Sequence, residues 1–283
     1  MNESRRRLLR RMLRNFALMS GAIMTIVIII TALLAPIIAP FDPSAQDTSR
    51  RLEKPSRQHL LGLDDLGRDV LSRILYGARV SLRVGFSVVF LASVIGVAMG
   101  AIAGYFGGNV DMLIMRLTDI LLAFPGILLA IALVAVLGPS LNNVVIALAT
   151  IGWTGYARLV RGQVLKVREM DFVTAAKALG AKDSRVILHH VLPNVMNPVI
   201  VMATLGLAGA ILAEAALSFL GLGVQPPTPS WGAMLTAGRR YLGQANHLAI
   251  FPGFAIMLAV MGFNFLGDGL VDTLDPKYRK IAK

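Results

Sequence analysis

Long apolar runs separated by shorter polar segments dominate the sequence. Five of them carry at most one charged residue, and each is long enough for the roughly 20 apolar residues of a membrane-crossing helix. These runs are residues 16–39, 84–106, 120–157, 199–223 and 248–267. The third run is interrupted at Leu137-Gly138-Pro139-Ser140, so it predicts two spans joined by a tight turn, the first beginning near Met112. The pattern therefore predicts an all-α protein with six transmembrane helices.

Composition agrees with a chain that spends much of its length in lipid. Of its 283 residues, 55% are hydrophobic and 16% are charged, whereas soluble domains carry roughly 25% charged residues. The net charge of +12 comes from Lys and Arg that flank the apolar runs, which indicates the cytoplasmic excess of a membrane protein and not nucleic-acid binding. There is no cysteine, which excludes disulfides and thiolate sites.

The basic residues also predict orientation. Six arginines lie between Arg5 and Arg14, which places the N terminus in the cytoplasm; that segment is either a short helix on the inner leaflet or a basic tail. Six spans then return the C terminus to the same side. The predicted divisions are a basic cytoplasmic segment at 1–15, the first span at 16–39, an extracytoplasmic loop at 40–79, a five-helix core at 80–270 that includes a cytoplasmic loop at 161–198, and a cytoplasmic tail at 271–283.

Three features inside the predicted spans suggest packing or function. Gly96, Gly100 and Gly104 recur every four residues, which favours a small-residue face for close helix packing within this chain or with another subunit. Pro125 is expected to kink the third span. Glu214 is a lone carboxylate near the middle of the fifth span, where a charge costs about 3 kcal/mol. Glu214 is therefore predicted either to belong to the translocation path or a subunit contact, or to make a structural hydrogen bond to a neighbouring helix.

Catalytic signatures are missing. The sequence contains no P-loop and no H-E-x-x-H metal motif, and the adjacent His189 and His190 point in different directions on a helix. Gly267-Asp268-Gly269 does not match an intramembrane aspartyl protease signature. We therefore expect a chain that is not itself an enzyme, with no catalytic residue, metal or cofactor of its own. A membrane hydrolase remains the disfavoured alternative.

Residues 171–198 form a polar island between apolar runs. The stretch up to Leu179 lacks Gly and Pro and predicts a helix, which Gly180 should end. Asp183 or Ser184 could cap a second helix that stops before Pro193. The pattern predicts a helix-turn-helix that serves either as a docking element for a cytoplasmic partner or as an interfacial hairpin.

This loop resembles the EAA loop of ABC-importer permeases, E-A-A-x3-G-x9-I-x-L-P. Thr174 and His190 replace the glutamate and the isoleucine of that pattern. The matching residues are Ala175, Ala176, Gly180, Leu192 and Pro193. Further segments resemble the "C" permease of dipeptide, oligopeptide and nickel importers. These are the segments that begin at Leu61 (LGLDDLGRDVLSR), Tyr76 (YGAR), Leu122 (LAFP), Glu214 (EAALSFLGLG) and Leu274 (LDP).

The resemblance implies a type I importer permease fold in a bacterial or archaeal cytoplasmic membrane. It implies a second homologous permease, an extracytoplasmic solute-binding protein, and two ATPases that bind ATP and Mg. Thr174, Ala175, Ala176, Lys177 and Gly180 would contact an ATPase, and Leu192-Pro193 would end the element. The expected substrates are dipeptides or oligopeptides, with nickel, glutathione or oligosaccharides as alternatives. An autonomous secondary transporter is the alternative of another class.

Overall fold

The computed structural model describes residues 15–274, and helices form most of this part of the chain, with no strand within it. The predicted all-α class is therefore confirmed. The helices are α1 (Phe16–Ile38), α2 (Val70–Phe106), α3 (Gly108–Leu122), α4 (Gly126–Leu137), α5 (Leu141–Val167), α6 (Asp171–Ala178), α7 (Asp183–Phe219), α8 (Trp231–Arg239) and α9 (His247–Leu274). The basic residues 1–14 and the tail residues 275–283, for which cytoplasmic roles are predicted, lie outside the described residues.

Five of these helices are long and apolar enough to cross a membrane: α1, α2, α5, α7 and α9. Helices α3 and α4 meet that test together and are bent by 85° at the break between Leu122 and Gly126, so the described chain has six spans if this bent pair is one of them. Pro125 lies in the break and immediately precedes α4. Proline removes a backbone N–H and its ring blocks the preceding turn, which explains a break larger than the predicted kink.

Helix α2 begins earlier than the apolar pattern indicates, at Val70 and not near Val84, so the end of the predicted loop 40–79 is helical. Asp69 caps this helix, because its carboxylate accepts hydrogen bonds of 2.8 Å from both the backbone N–H and the hydroxyl of Ser72. Arg73 is buried against Asp64, with 3.4 Å between the two side chains. A hydrophobicity scan misses this first section because it contains three arginines, of which Arg73 is paired with the loop.

The described chain divides into two compact units. The first unit contains residues up to 87, 131–145 and 204 onwards. Within it α1 and α9 pack closely, since Gly21 faces the backbone at Leu266 and Gly269 faces Leu18, leaving no room for a side chain at either glycine. Glycine at such contacts lets two helix backbones approach in lipid.

The second unit contains residues 88–130 and 146–203. Here the predicted small-residue face of α2 receives α5. A Cβ atom at Gly96 would overlap Tyr156 and the Trp153 carbonyl, one at Gly100 would overlap Ala157, and one at Gly104 would press against Val164. The partner of this glycine face is therefore a helix of the same chain.

Candidate functional site

The site that the sequence singles out lies within the predicted loop 161–198, and we call its residues 168–193 the coupling loop. Helix α6 has Asp171 in its first turn, where a carboxylate favours helix formation. Gly180 ends the helix with φ +83°, a conformation that L side chains rarely adopt. The N–H of Ala181 donates to the carbonyl of Ala176 at 3.1 Å, and that of Gly180 donates to Lys177 at 2.9 Å. These two bonds form a Schellman motif, so the predicted helix stop is confirmed with its mechanism.

The predicted cap of the next helix is wrong. Lys182 occupies the N-cap position and its side chain makes no capping bond, whereas Asp183 lies in the first turn. The carboxylate of Asp183 instead accepts a hydrogen bond from the Tyr105 hydroxyl at 2.6 Å. The Asp183 side chain, which the local sequence pattern assigns to the helix cap, therefore binds a residue that is distant in the sequence.

The predicted helix end before Pro193 is also wrong, because α7 continues through it to Phe219. Residues Val186–Val191 form a wide π-helical turn, in which the N–H of Leu192 donates to the carbonyl of Ile187. Proline cannot donate to the preceding turn, and its ring needs space there. The widened turn directly before Pro193 provides that space, so Leu192 and Pro193 mark a change of helix pitch and not a helix end.

The loop has one side in the core and one side exposed. Val173 on α6 and Val186 and Val191 on α7 are fully buried in the second unit. Thr174, Ala175, Lys177 and Gly180 are exposed, Ala176 is half-buried, Leu192 is half-buried and Pro193 is exposed.

Large apolar side chains also lie on the exposed side of the coupling loop. Leu179 is 89% exposed, and Phe172 and Leu188 are exposed as well. An exposed surface of small and apolar residues on an anchored helix pair is suited to contact with another protein.

A cluster of side-chain contacts centred on Tyr105, at the end of α2, holds the coupling loop in place. We call this cluster the Tyr105 anchor. Besides bonding Asp183, the Tyr105 ring lies 4.5 Å from the Lys177 Nζ, in cation–π geometry. Arg168 donates to the Gly104 carbonyl at 2.8 Å. The anchor thus joins α2 to both sides of the turn at Gly180. The sequence pattern gave no signal for Tyr105, since it ends an apolar run far from the loop.

Removing the Tyr105 hydroxyl tests the anchor. In Tyr105→Phe the ring and its contact with Lys177 remain, but Asp183 loses its donor, and hydrogen bonds to charged groups are worth roughly 1.5–3 kcal/mol. We expect amide hydrogen exchange in residues 171–191 to accelerate about tenfold. Tyr156→Phe is the matched control, because the Tyr156 hydroxyl makes only a long 3.5 Å bond to Met202 in the same unit. Equal exchange in both variants would contradict the anchor.

Glu214 lies in the first unit and its exposed fraction is 0%. Its carboxylate accepts hydrogen bonds from the hydroxyls of Ser218 at 2.7 Å and Ser81 at 3.2 Å, and the Ser230 hydroxyl is a third partner. Ser230 is also the N-cap of α8. The carboxylate therefore joins α2, α7 and α8, a geometry that suits the hydrogen-bonding interpretation of this residue. Its three serine partners were not recognised from the sequence.

Other polar groups do not assemble into a metal site. Within residues 15–274 no group of three or more His, Asp or Glu side chains has a geometry that could hold a metal ion. His189 is exposed on the wide turn of α7 and His190 is half-buried beside it.

Two protein families match most of the chain, leaving residues 56–95 between them. Residues 96–280 match the family described as binding-protein-dependent transport system inner membrane component. Residues 5–55 match the N-terminal TM domain of oligopeptide transport permease C.

Individual relatives are similar over most of their own length. The dipeptide transport system permease protein DppC of Alkalihalophilus pseudofirmus is 52% identical over 259 residues, covering 92% of this chain and 85% of the relative. The glutathione transport system permease protein GsiD of Escherichia coli is 47% identical over 271 residues, covering 95% and 89%. The di/tripeptide permease DppC of Pseudomonas aeruginosa is 46% identical over 274 residues, covering 95% and 90%.

Among solved structures, a chain of the inward-facing MetNI methionine ABC transporter shares the fold. The TM-score is 0.59 with 18% identity, covering 72% of this chain and 96% of that chain.

Proposed function

The chain belongs to the binding-protein-dependent transport system inner-membrane components, as an ABC-importer permease of the dipeptide and oligopeptide type, and on this premise we propose that it carries dipeptides or oligopeptides through the membrane in an ATP-driven complex. The observation that carries the substrate class is the 52% identity with a dipeptide permease along 92% of the chain. In the proposed complex this chain forms the path with a second homologous permease. An extracytoplasmic binding protein delivers the solute.

Two ATPase subunits, which bind ATP and Mg, are the proposed partners of the coupling loop. Thr174, Ala175 and Gly180 are exposed and Ala176 is half-buried, and these small residues let a partner surface approach closely. Exposed Lys177 and Leu179 lie beside them and add a charged and an apolar contact. ATP binding would close the ATPases, displace the loop and switch the path between inward- and outward-facing states. The chain itself would provide no catalytic group.

Two features of the loop support this lever mechanism. Helix α7 is continuous from Asp183 to Phe219, so its polar first turns and its membrane-crossing section belong to one helix, and a force on the first turn acts on the span directly. The Tyr105 anchor connects the same turn to the end of α2 through a 2.6 Å hydrogen bond. A displacement of α6 would therefore move two spans together. An autonomous secondary transporter would have no use for such a surface.

Glutathione is the second candidate substrate, because the glutathione permease GsiD is 47% identical to this chain. Glutathione is itself a tripeptide with an unusual γ-linkage, so the two candidates differ in detail and not in class. Nickel and oligosaccharides rest on the family resemblance alone.

Uptake into vesicles tests the proposal. The chain is reconstituted with its second permease and its ATPases, and binding protein is supplied. These vesicles should accumulate a labelled dipeptide only when ATP is present on the side of the membrane that carries the ATPases. Excess unlabelled dipeptide should reduce uptake at least about tenfold, and excess glutathione should not. If glutathione competed and the dipeptide did not, glutathione would become the proposed substrate and dipeptides the second candidate. Uptake without ATPases, by this chain alone, would instead support a secondary transporter.

A further inference from the structure

The first unit contains a cavity of about 650 Å³ between α1 and α2, within the size range of ligand sites. Its α1 wall is apolar and includes Ile29 and Leu33, while α2 contributes Arg79, Arg83 and Phe86. We propose that this cavity binds one anionic phospholipid. Its phosphodiester lies at the two arginines, and an acyl chain lies against α1. This proposal does not depend on the proposed function.

The charge of the cavity is unbalanced. Its lining contains two arginines and no acidic side chain. Neither guanidinium has an ion pair or a hydrogen bond to any residue of the described chain; Arg79 only approaches the ring of Tyr76, at 6.0 Å. The two residues lie one helical turn apart, so their side chains extend from the same face of α2. Planar guanidinium groups match the oxygens of a phosphate or carboxylate, and here two of them are available.

The depth of the cavity in the membrane fits a lipid. From Val84 to Phe106 helix α2 is uncharged, which at about 1.5 Å per residue is roughly 35 Å, about the thickness of the hydrocarbon core. Arg83 therefore lies at its edge, at the level of lipid phosphates. The α1 wall, between Ile29 and Leu33, lies roughly 8–14 Å before the end of α1, at the level of acyl chains. The charged end of the cavity therefore lies at the level of the lipid headgroup and its apolar end at the level of the acyl chains, as a bound phospholipid requires.

The mouth of the cavity is formed by side chains suited to lipid contact. Leu33 is 68% exposed and Phe86 is 45% exposed, and both line it. The outward surface of α1 continues this apolar character at Ile26, Val27 and Ile30. A free peptide or a zwitterionic lipid would also bring an ammonium group, for which the lining offers no carboxylate. Charge complementarity therefore favours a ligand with net negative charge and an apolar body.

Native mass spectrometry of the full-length chain in detergent tests the proposal. Phosphatidylglycerol is added, or phosphatidylcholine with the same acyl chains, and bound lipids are counted. We expect one more phosphatidylglycerol than phosphatidylcholine per chain. The double variant Arg79→Gln/Arg83→Gln should weaken that binding about tenfold or more, because it removes the charge-assisted hydrogen bonds.

The matched control is Arg51→Gln/Arg57→Gln. It removes the same charge from exposed arginines that do not line the cavity, and it should leave binding unchanged. Leu33→Trp is a second variant, which fills the apolar end while both arginines remain, and it should also displace the lipid. Equal phosphatidylglycerol binding by the Arg79/Arg83 and Arg51/Arg57 variants would overturn the proposal. Displacement of the lipid by a dipeptide with a free carboxylate would likewise overturn it and assign the cavity to the transported solute.

Discussion

Replacing Gly180 with valine is expected to abolish ATP-driven uptake while the chain still inserts into the membrane. Gly180 has φ +83°, where a β-branched residue is strained by about 1–3 kcal/mol, and its N–H and that of Ala181 close the end of α6. Relief of this strain would open the Schellman motif and move Leu179 and Ala181. Uptake by the reconstituted complex, together with the amount of chain in the membrane, measures the effect.

Gly243→Val is the matched control for this variant. Gly243 has φ +89°, and a Cβ atom at either glycine would meet nothing within 4 Å, so the backbone strain is alike and steric overlap is absent at both. Gly243 lies between α8 and α9, away from the coupling loop in the sequence. We expect it to retain most uptake. Asn tolerates this backbone region, so Gly180→Asn should recover part of the activity. Normal uptake by Gly180→Val would remove the lever mechanism.

The spans were largely predictable from sequence because lipid imposes one simple rule. A helix in hydrocarbon satisfies its backbone internally and needs an uncharged surface, so runs such as 16–39 identify it. The rule fails where a helix leaves the lipid. Arg73, in the first turn of α2, is buried beside Asp64, and nearby His59 Nδ1 lies 3.0 Å from Asp69 Oδ1. These partners are brought together by the folded loop, and no local pattern encodes them.

Features of the candidate site could be predicted from the sequence only where they depend on residues that are close together in the chain. A positive φ at a helix end selects glycine, so the stop at Gly180 could be recognised from the sequence. The partner of Asp183 could not, since Tyr105 is 78 residues away in the chain. The continuity of α7 through Pro193 depends on the width of the preceding turn, which apolar periodicity does not reveal. Ala175 and Ala176 were found through family resemblance, and their contact with an ATPase stays a prediction.

Glu214→Leu is expected to destabilise the chain far more than Glu214→Gln. The serines at 81, 218 and 230 direct their hydroxyls to a carboxylate that is fully enclosed. Leucine accepts no hydrogen bond, and each buried donor left without a partner costs about 1–3 kcal/mol, so the loss should be several kcal/mol. Glutamine retains one oxygen acceptor in nearly the same volume, and its loss should be about 1–2 kcal/mol. Thermal unfolding of the purified chain in detergent measures both.

The same pair of substitutions at Glu169 provides the control, because that side chain is 76% exposed and both replacements should be nearly neutral.

Transport then separates the two interpretations of Glu214. If hydrogen bonding to the serines is the role of this residue, uptake should follow stability, with glutamine close to the wild type. If the chain needs the negative charge, Glu214→Gln and Glu214→Leu should lose uptake equally even though glutamine preserves the fold. Equal losses would therefore contradict the hydrogen-bonding interpretation and point to a required negative charge at Glu214.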